Sequence, residues 1–149
     1  MVFQIRSFKA SDQQATRELI LAGLGEHWGW IDETLNPDLD DITSNYLQNG
    51  YTFLIVESDD EIVGTGALIT KANGTGRIVR MSVSKIHRRK GIGRAIVEHL
   101  LDAARSKGFS KVVVGTELEW NDAIGLYEQC GFSEYERAES GVQLSITLN

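Results

Sequence analysis

The spacing of apolar residues changes several times along the chain, and each change predicts an element. Residues 2–8 alternate roughly, with Phe3 and Ile5 against Gln4 and Arg6, which suits a short strand. Ser11 or Asp12 can cap a helix running to about Leu24, with Ala15, Leu19 and Ala22 or Gly23 along one side. Residues 25–38 are irregular and hold an Asn36-Pro37 turn signal, and residues 38–48 then read as a short second helix stopped by Asn49-Gly50. Three strands follow, at 52–57, 62–70 and 77–83. Asp59-Asp60 turns the chain between the first two, and Asn73-Gly74, a strong hairpin signal, between the last two. On the third strand, simple alternation puts Val79, Met81 and Val83 on one face.

The clearest helix spans 91–107. Ile92, Ile96 and Leu100 recur every four residues, Ala103 and Ala104 close the stripe, and Gly108 ends it. A buried strand at 111–116 carries Val112-Val113-Val114. A helix at 121–130 follows, with Ile124 and Tyr127 on one face and Gly131 at its end. Alternating Val142, Leu144, Ile146 and Leu148 predict a last strand, whose edge is open to pairing in a homodimer. No repeat, low-complexity stretch or linker interrupts this order, so residues 1–149 read as a single domain. Hairpin-joined strands followed by a strand–helix–strand unit require a mixed sheet with helices packed on it, an α/β (α+β) fold.

Composition narrows the setting. A chain of 149 residues with 42% hydrophobic and 24% charged residues suits one globular domain with its own core. Its one cysteine, Cys130, cannot form an internal disulfide, which fits a reducing compartment. No apolar run approaches a membrane span, and the first residues lack the pattern of a signal peptide; the cytoplasm is the expected location, with no membrane partner. The net charge of −6 is unevenly spread. Residues 18–70 hold eleven acids and no lysine or arginine, whereas Lys85, Arg88, Arg89, Lys90 and Arg94 crowd into ten positions. Such asymmetry suits partners of opposite charge at two places.

The basic cluster lies where an anion is favoured. Arg88-Arg89-Lys90-Gly91-Ile92-Gly93-Arg94-Ala95 runs from a loop into the strongest helix. Unpaired first-turn amides and the helix dipole attract negative charge, and glycines let a phosphate approach the backbone. The pattern is not a P-loop, and Ile96 stands where a dinucleotide fingerprint wants Gly or Ala. Nucleic acid is not expected as a partner, because aromatic residues do not interleave the basic ones and the chain is acidic overall.

A second motif, Asn121-Asp122-Ala123-Ile124-Gly125-Leu126-Tyr127-Glu128-Gln129-Cys130-Gly131-Phe132, follows in order. Together with Arg88-x-x-Gly91-x-Gly93, it resembles the GNAT superfamily of N-acetyltransferases, closely over about residues 77–135 and by element order over nearly the whole chain. The resemblance implies a GNAT-like, mostly antiparallel central sheet of six or seven strands with helices on both faces. It implies acetyl-CoA as cosubstrate and no metal. By the same resemblance, Met81, Ser82 and Val83 would offer backbone groups to the pantetheine arm and the acetyl group. Arg88, Arg89, Lys90, Gly91, Ile92, Gly93, Arg94 and Ala95 would hold the pyrophosphate, Asn121 would touch the coenzyme from the other side, and Tyr127 would protonate the departing thiolate.

The implied reaction is direct attack of a primary amine on the thioester in a ternary complex. The amine must first lose a proton, since its pKa is near ~10. Many relatives carry an acid on the strand before the phosphate loop; residues 77–83 carry none, and Glu117 becomes the candidate base. The acceptor side in this superfamily follows the first helix, where His27, Trp28 and Trp30 lie among carboxylates. Indole faces and acids suit a cationic small molecule or peptide amine. The competing reading is a catalytically weak acyl-CoA-binding sensor or partner-binding module.

Overall fold

The computed structural model describes residues 2–28, 35–116 and 121–148. Within these residues seven strands form one sheet: β1 (Gln4–Ser7), β2 (Thr52–Ser58), β3 (Glu61–Lys71), β4 (Thr75–Val83), β5 (Lys111–Thr116), β6 (Ser133–Ala138) and β7 (Gly141–Thr147). Among the described residues four α-helices join them: α1 (Gln13–Trp28), α2 (Ile42–Asn45), α3 (Ile92–Ser106) and α4 (Asn121–Gln129). The spatial order is β1-β2-β3-β4-β5-β7-β6, and every pairing is antiparallel except β4 with β5. The parallel pair requires a crossover, and α3 supplies it. Among the described residues no helix is long and apolar enough to cross a membrane.

Two hydrophobic layers hold helices on opposite faces. On one side α3 buries Ile92, Ile96, Val97, Leu100, Leu101 and Ala104 against Val56, Val63, Leu68, Val112, Val114 and Leu144, with Tyr127 and Phe132 closing the layer. Each buried Val, Leu, Ile or Phe side chain contributes about 1.5–3 kcal/mol by leaving water. On the other side Ile20 and Leu21 of α1, with Leu39, Ile42 and Tyr46, cover Phe53, Ile55 and Ala67. Gly66 lets α3 come close, since a Cβ there would fall 2.4 Å from Ile96 Cγ2 and 2.8 Å from Met81 Sδ.

Several expectations change. α1 continues through Gly25 to Trp28, and its buried stripe is Thr16, Ile20 and Leu21, while Ala15 and Ala22 face solvent. The run from Leu19 to Leu24 is apolar all round, so pattern alone could not choose the face, and a buried threonine hides the true one. Asp12 does not cap α1: its carboxylate turns back to the Lys9 amide and the Arg6 guanidinium. The second helix breaks into a 3-10 turn at Pro37–Asp40, a single turn of α2 capped by Asp41, and another 3-10 turn ended by Gly50. The last strand is not an edge. β7 sits between β5 and β6, and the exposed edge is β6, which has no apolar alternation to predict it.

The third strand departs most usefully. Val79 packs with the α1 layer, while Met81 and Val83 pack with the α3 layer. The ladder between β3 and β4 slips here: Thr65 pairs with Ser82 but Ala67 pairs with Val79. The bulge leaves Gly66 facing two residues, and Arg80 takes φ 55°. An inserted residue inverts the alternation, so simple period-two counting put Val79 on the wrong side.

Candidate active site

The sheet parts at its centre. β4 and β5 pair from Thr75 and Lys111 only as far as Ile78 and Val114. Beyond that β4 stays on β3 to Val83, and β5 stays on β7 to Thr116. The bulge at Arg80 bends β4 away just past the last shared pair. Past Ile78 the β5-side edge of β4 therefore has no strand partner among the described residues, although the Arg80 carbonyl accepts from Thr65 Oγ1 and the Val83 carbonyl from Arg88 Nε. Met81, Ser82 and Val83, the residues expected to meet a pantetheine arm, all lie on this free edge.

The gap leads to the N-terminus of α3. A 3-10 turn at Lys85–His87 carries the chain into Arg88, and Arg89 at φ 62° and Gly91 at φ 83° wrap it into the helix. Open space surrounds the position where a Cβ of Gly91 would stand. The first intrahelical bond is from the Ala95 amide to the Gly91 carbonyl at 3.1 Å, so the amides of Ile92, Gly93 and Arg94 have no acceptor in the helix. Arg88, Arg89, Lys90 and Arg94 are exposed around this turn. Two buried polar atoms, His87 Nδ1 and Thr116 Oγ1, have no partner among the described residues. Free amides, a glycine turn without overhanging side chains, an unpaired strand edge and orphaned polar atoms together fit a phosphate-headed ligand with a polar, extended arm.

On the opposite face, the parted strands open into a cleft of about 390 Å³ lined by Asp38, Tyr46, Ile69, Arg77, Ile78, Val79, Arg80 and Gly115. Arg80 grips Asp38 with two bonds, Nε to Oδ2 at 2.9 Å and Nη2 to Oδ1 at 2.6 Å. The Tyr46 hydroxyl donates to the same carboxylate at 2.6 Å. Thr65 Oγ1 donates to the Arg80 carbonyl at 2.8 Å. These bonds hold a left-handed arginine, a conformation that costs roughly 1–3 kcal/mol and must be over-determined by its surroundings. Burial pushes the Asp38 carboxyl up, but the Arg80 guanidinium and the Tyr46 hydroxyl outweigh it and leave the carboxyl below the usual range. Burial and Asp38 push the Tyr46 hydroxyl up to about 12. Asp38 is thus a clamp and a poor proton acceptor. A larger cleft of about 770 Å³ lies by β1 and α1, where the Arg6 guanidinium donates to both Asp12 and Glu57.

The remaining expected residues divide. Tyr127 is 4% exposed in the α3 layer, edge-on to Phe132 at 5.8 Å. Burial, with Cys130 beside it, pushes its hydroxyl well above the ordinary tyrosine value, so it keeps its proton at neutral pH. Asn121 begins α4 and His27 and Trp28 end α1, but their side chains lie outside the described residues, as do Trp30 and Glu117. The acidic stretch is not uncompensated in space: Glu26 meets Arg88 at 2.6 Å, Asp40 meets Arg17 at 3.3 Å, Asp38 meets Arg80, and Glu57 meets Arg6. Arg88 also donates from Nε to the Val83 carbonyl at 3.1 Å, tying loop, β4 and α1 together. Sequence reasoning missed Asp38, Tyr46, Arg77 and Arg80 as site residues, and only the run of positions converging on one bulge would have joined them.

Residues 14–132 match the model of the acetyltransferase (GNAT) family. Rat N-acetyltransferase 8 is 39% identical over 117 residues, covering 74% of this chain and 53% of that protein. Human N-acetyltransferase 8B is 35% identical over 111 residues, covering 70% of this chain and 49% of that one. The chain spans about half the length of the curated relatives it matches. A GNAT-family acetyltransferase from Staphylococcus aureus superposes with a TM-score of 0.91 at 25% identity, covering 99% of this chain and all, 100%, of that one. The PaiA N-acetyltransferase of Thermoplasma acidophilum, solved in complex with coenzyme A, shares the fold with a TM-score of 0.86 at 15% identity, covering 99% and 100% of the two chains.

Proposed function

The chain belongs to the GNAT family of acetyltransferases, and from that premise we propose that it transfers an acetyl group from acetyl-CoA to a primary amine of a small molecule or peptide. The observation that carries this reading is the parting of β4 from β5 beyond Ile78, open on one face to the glycine turn of α3 and on the other to a polar cleft. A thioester lying in the gap would be reachable from both sides of the sheet.

In this reading the pyrophosphate of the cosubstrate rests on the amides of Ile92, Gly93 and Arg94, with Arg88, Arg89 and Lys90 adding charge and Ala95 completing the turn. The pantetheine arm pairs with the free edge of Met81, Ser82 and Val83 much as a strand would. Asn121 borders it from α4. The amine enters from the α1 face, and its nitrogen forms a bond to the acetyl carbon while the carbon–sulfur bond breaks. A backbone N–H on the β4 edge steadies the oxyanion. Tyr127, protonated at neutral pH, gives its proton to the thiolate and recovers one from solvent. Glu117 is the candidate acceptor for the proton that the amine sheds, and His27, Trp28 and Trp30 border the acceptor. Asp38 is held as a paired carboxylate and does not serve as base.

The test is release of free thiol from acetyl-CoA by the purified protein, followed with and without added primary amines. Amine-dependent release supports transfer. Binding of acetyl-CoA with no release by any amine favours the alternative, a module that binds acyl-CoA without turning it over.

A further inference from the structure

We infer that the acceptor carries a carboxylate or equivalent acid a few bonds from its amine, and that Arg77 binds it. The inference rests on the acetyl-transfer reading and names the substrate class of the cleft opposite the coenzyme face.

Three charged side chains line that cleft, Asp38, Arg77 and Arg80. Two of them cancel, because the Arg80 fork is spent on both oxygens of Asp38, and the Tyr46 hydroxyl occupies that carboxylate further. Arg77 is left. It is half-buried, and its partner is the neutral carboxamide of Gln143, with Nη2 donating to Oε1 at 3.2 Å. Among the described residues no carboxylate approaches it. A guanidinium has five N–H donors in a planar fork. One bond to an amide oxygen leaves most of that fork, and the whole charge, facing the cleft. A partly desolvated cation of this kind is costly unless an anion completes it.

The backbone keeps the fork in place. Arg77 Nη2 and the Gln143 carboxamide converge over Gly115, where a Cβ would lie 2.7 Å from the one and 2.6 Å from Gln143 Nε2. Glycine at this position therefore provides the floor on which both side chains lie. Arg77 precedes Ile78, the last residue of β4 paired with β5, and packs on the same face as Val79 and Arg80. Two residues along a strand span about 7 Å. An acid on Arg77 thus sits a few bonds from an amine poised at the parted strands. Among the described residues that line the cleft, two arginines stand against one aspartate, which works against a diamine and for an amino acid or a similar zwitterion.

Matched acceptors test this directly. Alanine, β-alanine and 4-aminobutyrate are each compared with their own carboxamide and with diamines, by thiol release from acetyl-CoA. We expect at least one acid to exceed its amide by about tenfold or more in kcat/KM, the effect of one charge-assisted hydrogen bond in a partly buried site. Arg77→Gln brings that ratio close to one by raising KM for the acid, and Arg77→Lys keeps part of it. The acetyl-CoA-induced rise in melting temperature, measured on each variant, reports whether it folds. Amides or diamines used as well as the acids overturn the inference while leaving acetyl transfer intact, and so does a preference that survives Arg77→Gln. Coenzyme binding with no turnover of any amine overturns the parent reading and this inference with it.

Discussion

The two sides of the parted sheet meet at one seam but are built from different material. The α3 side is mostly backbone: a free strand edge from Val79 to Val83, then amides at 92–94, within one continuous stretch of chain. The α1 side is made of side chains from distant segments, with Asp38 clamping Arg80, Tyr46 seated on Asp38, and Arg77 lying beside Gln143. Backbone amides can be lost only by changing the path of the chain, whereas side chains can be exchanged one at a time. The first side is therefore suited to a fixed ligand, and the second to an acceptor set by local substitution. The clamp joins them, because the bulge that opens the edge on one side is held by bonds made on the other.

The largest effect is expected in the core of the α3 layer, at Tyr127. Tyr127→Phe should lower kcat about a hundredfold or more, the usual scale of a lost general acid. The rise in melting temperature with acetyl-CoA should survive, since the ring still packs on Phe132. Unchanged turnover would remove Tyr127 from the chemistry and leave it a core aromatic. Next is the coenzyme side. Gly91→Val puts a branched residue at φ 83°, which costs roughly 1–2 kcal/mol and crowds the phosphate turn. KM for acetyl-CoA should rise about tenfold, given 1.4 kcal/mol per factor of ten, while acceptor preference stays as in the parent chain. An unaltered KM would move the phosphate elsewhere.

The clamp comes third. Asp38→Asn leaves Arg80 without its charge partner, and a loss of about 1–3 kcal/mol is expected from thermal or urea unfolding. This loss should depend on pH. The Asp38 carboxyl is below its ordinary range in the folded chain, so its contribution is complete above the unfolded value near ~4 and fades as pH falls through the lower folded value. The melting curves of parent and variant should lie a constant distance apart near neutrality and converge in acid. A gap that widens in acid would contradict the sign. The smallest effect belongs to neither side: Asp102→Asn, which breaks an exposed pair with Arg105 at 3.1 Å, should change stability by less than about 0.5 kcal/mol.

The same contrast explains what could be read from the sequence. The local geometry of the side proposed for the coenzyme was legible because a glycine turn, a basic loop and an amphipathic helix are contiguous, and the structure places Gly91 at the cap of α3 with Arg88 to Lys90 just ahead of it. Both hairpins were legible for the same local reason, with Asp59, Asp60, Asn73 and Gly74 all at positive φ. The acceptor side was not, since Asp38 and Arg80 are 42 residues apart and Arg77 and Gln143 are 66 apart. The bulge hid it further, because one extra residue inverted the faces of β4 and concealed that Arg80 turns toward α1. β6 was missed because all of its residues are exposed and it carries no apolar period.

The central claim is that the seam between β4 and β5 holds acetyl-CoA against the turn at Gly91. The most direct measurement is the melting temperature of the protein alone and with acetyl-CoA, with NAD and ATP as controls. Ligand at about a hundred times its Kd adds roughly 2.7 kcal/mol, which for a domain of this size is a rise of several degrees. The account predicts that rise with acetyl-CoA and none of similar size with the controls. No rise at millimolar acetyl-CoA would contradict it, and would leave the glycine turn as a helix cap alone.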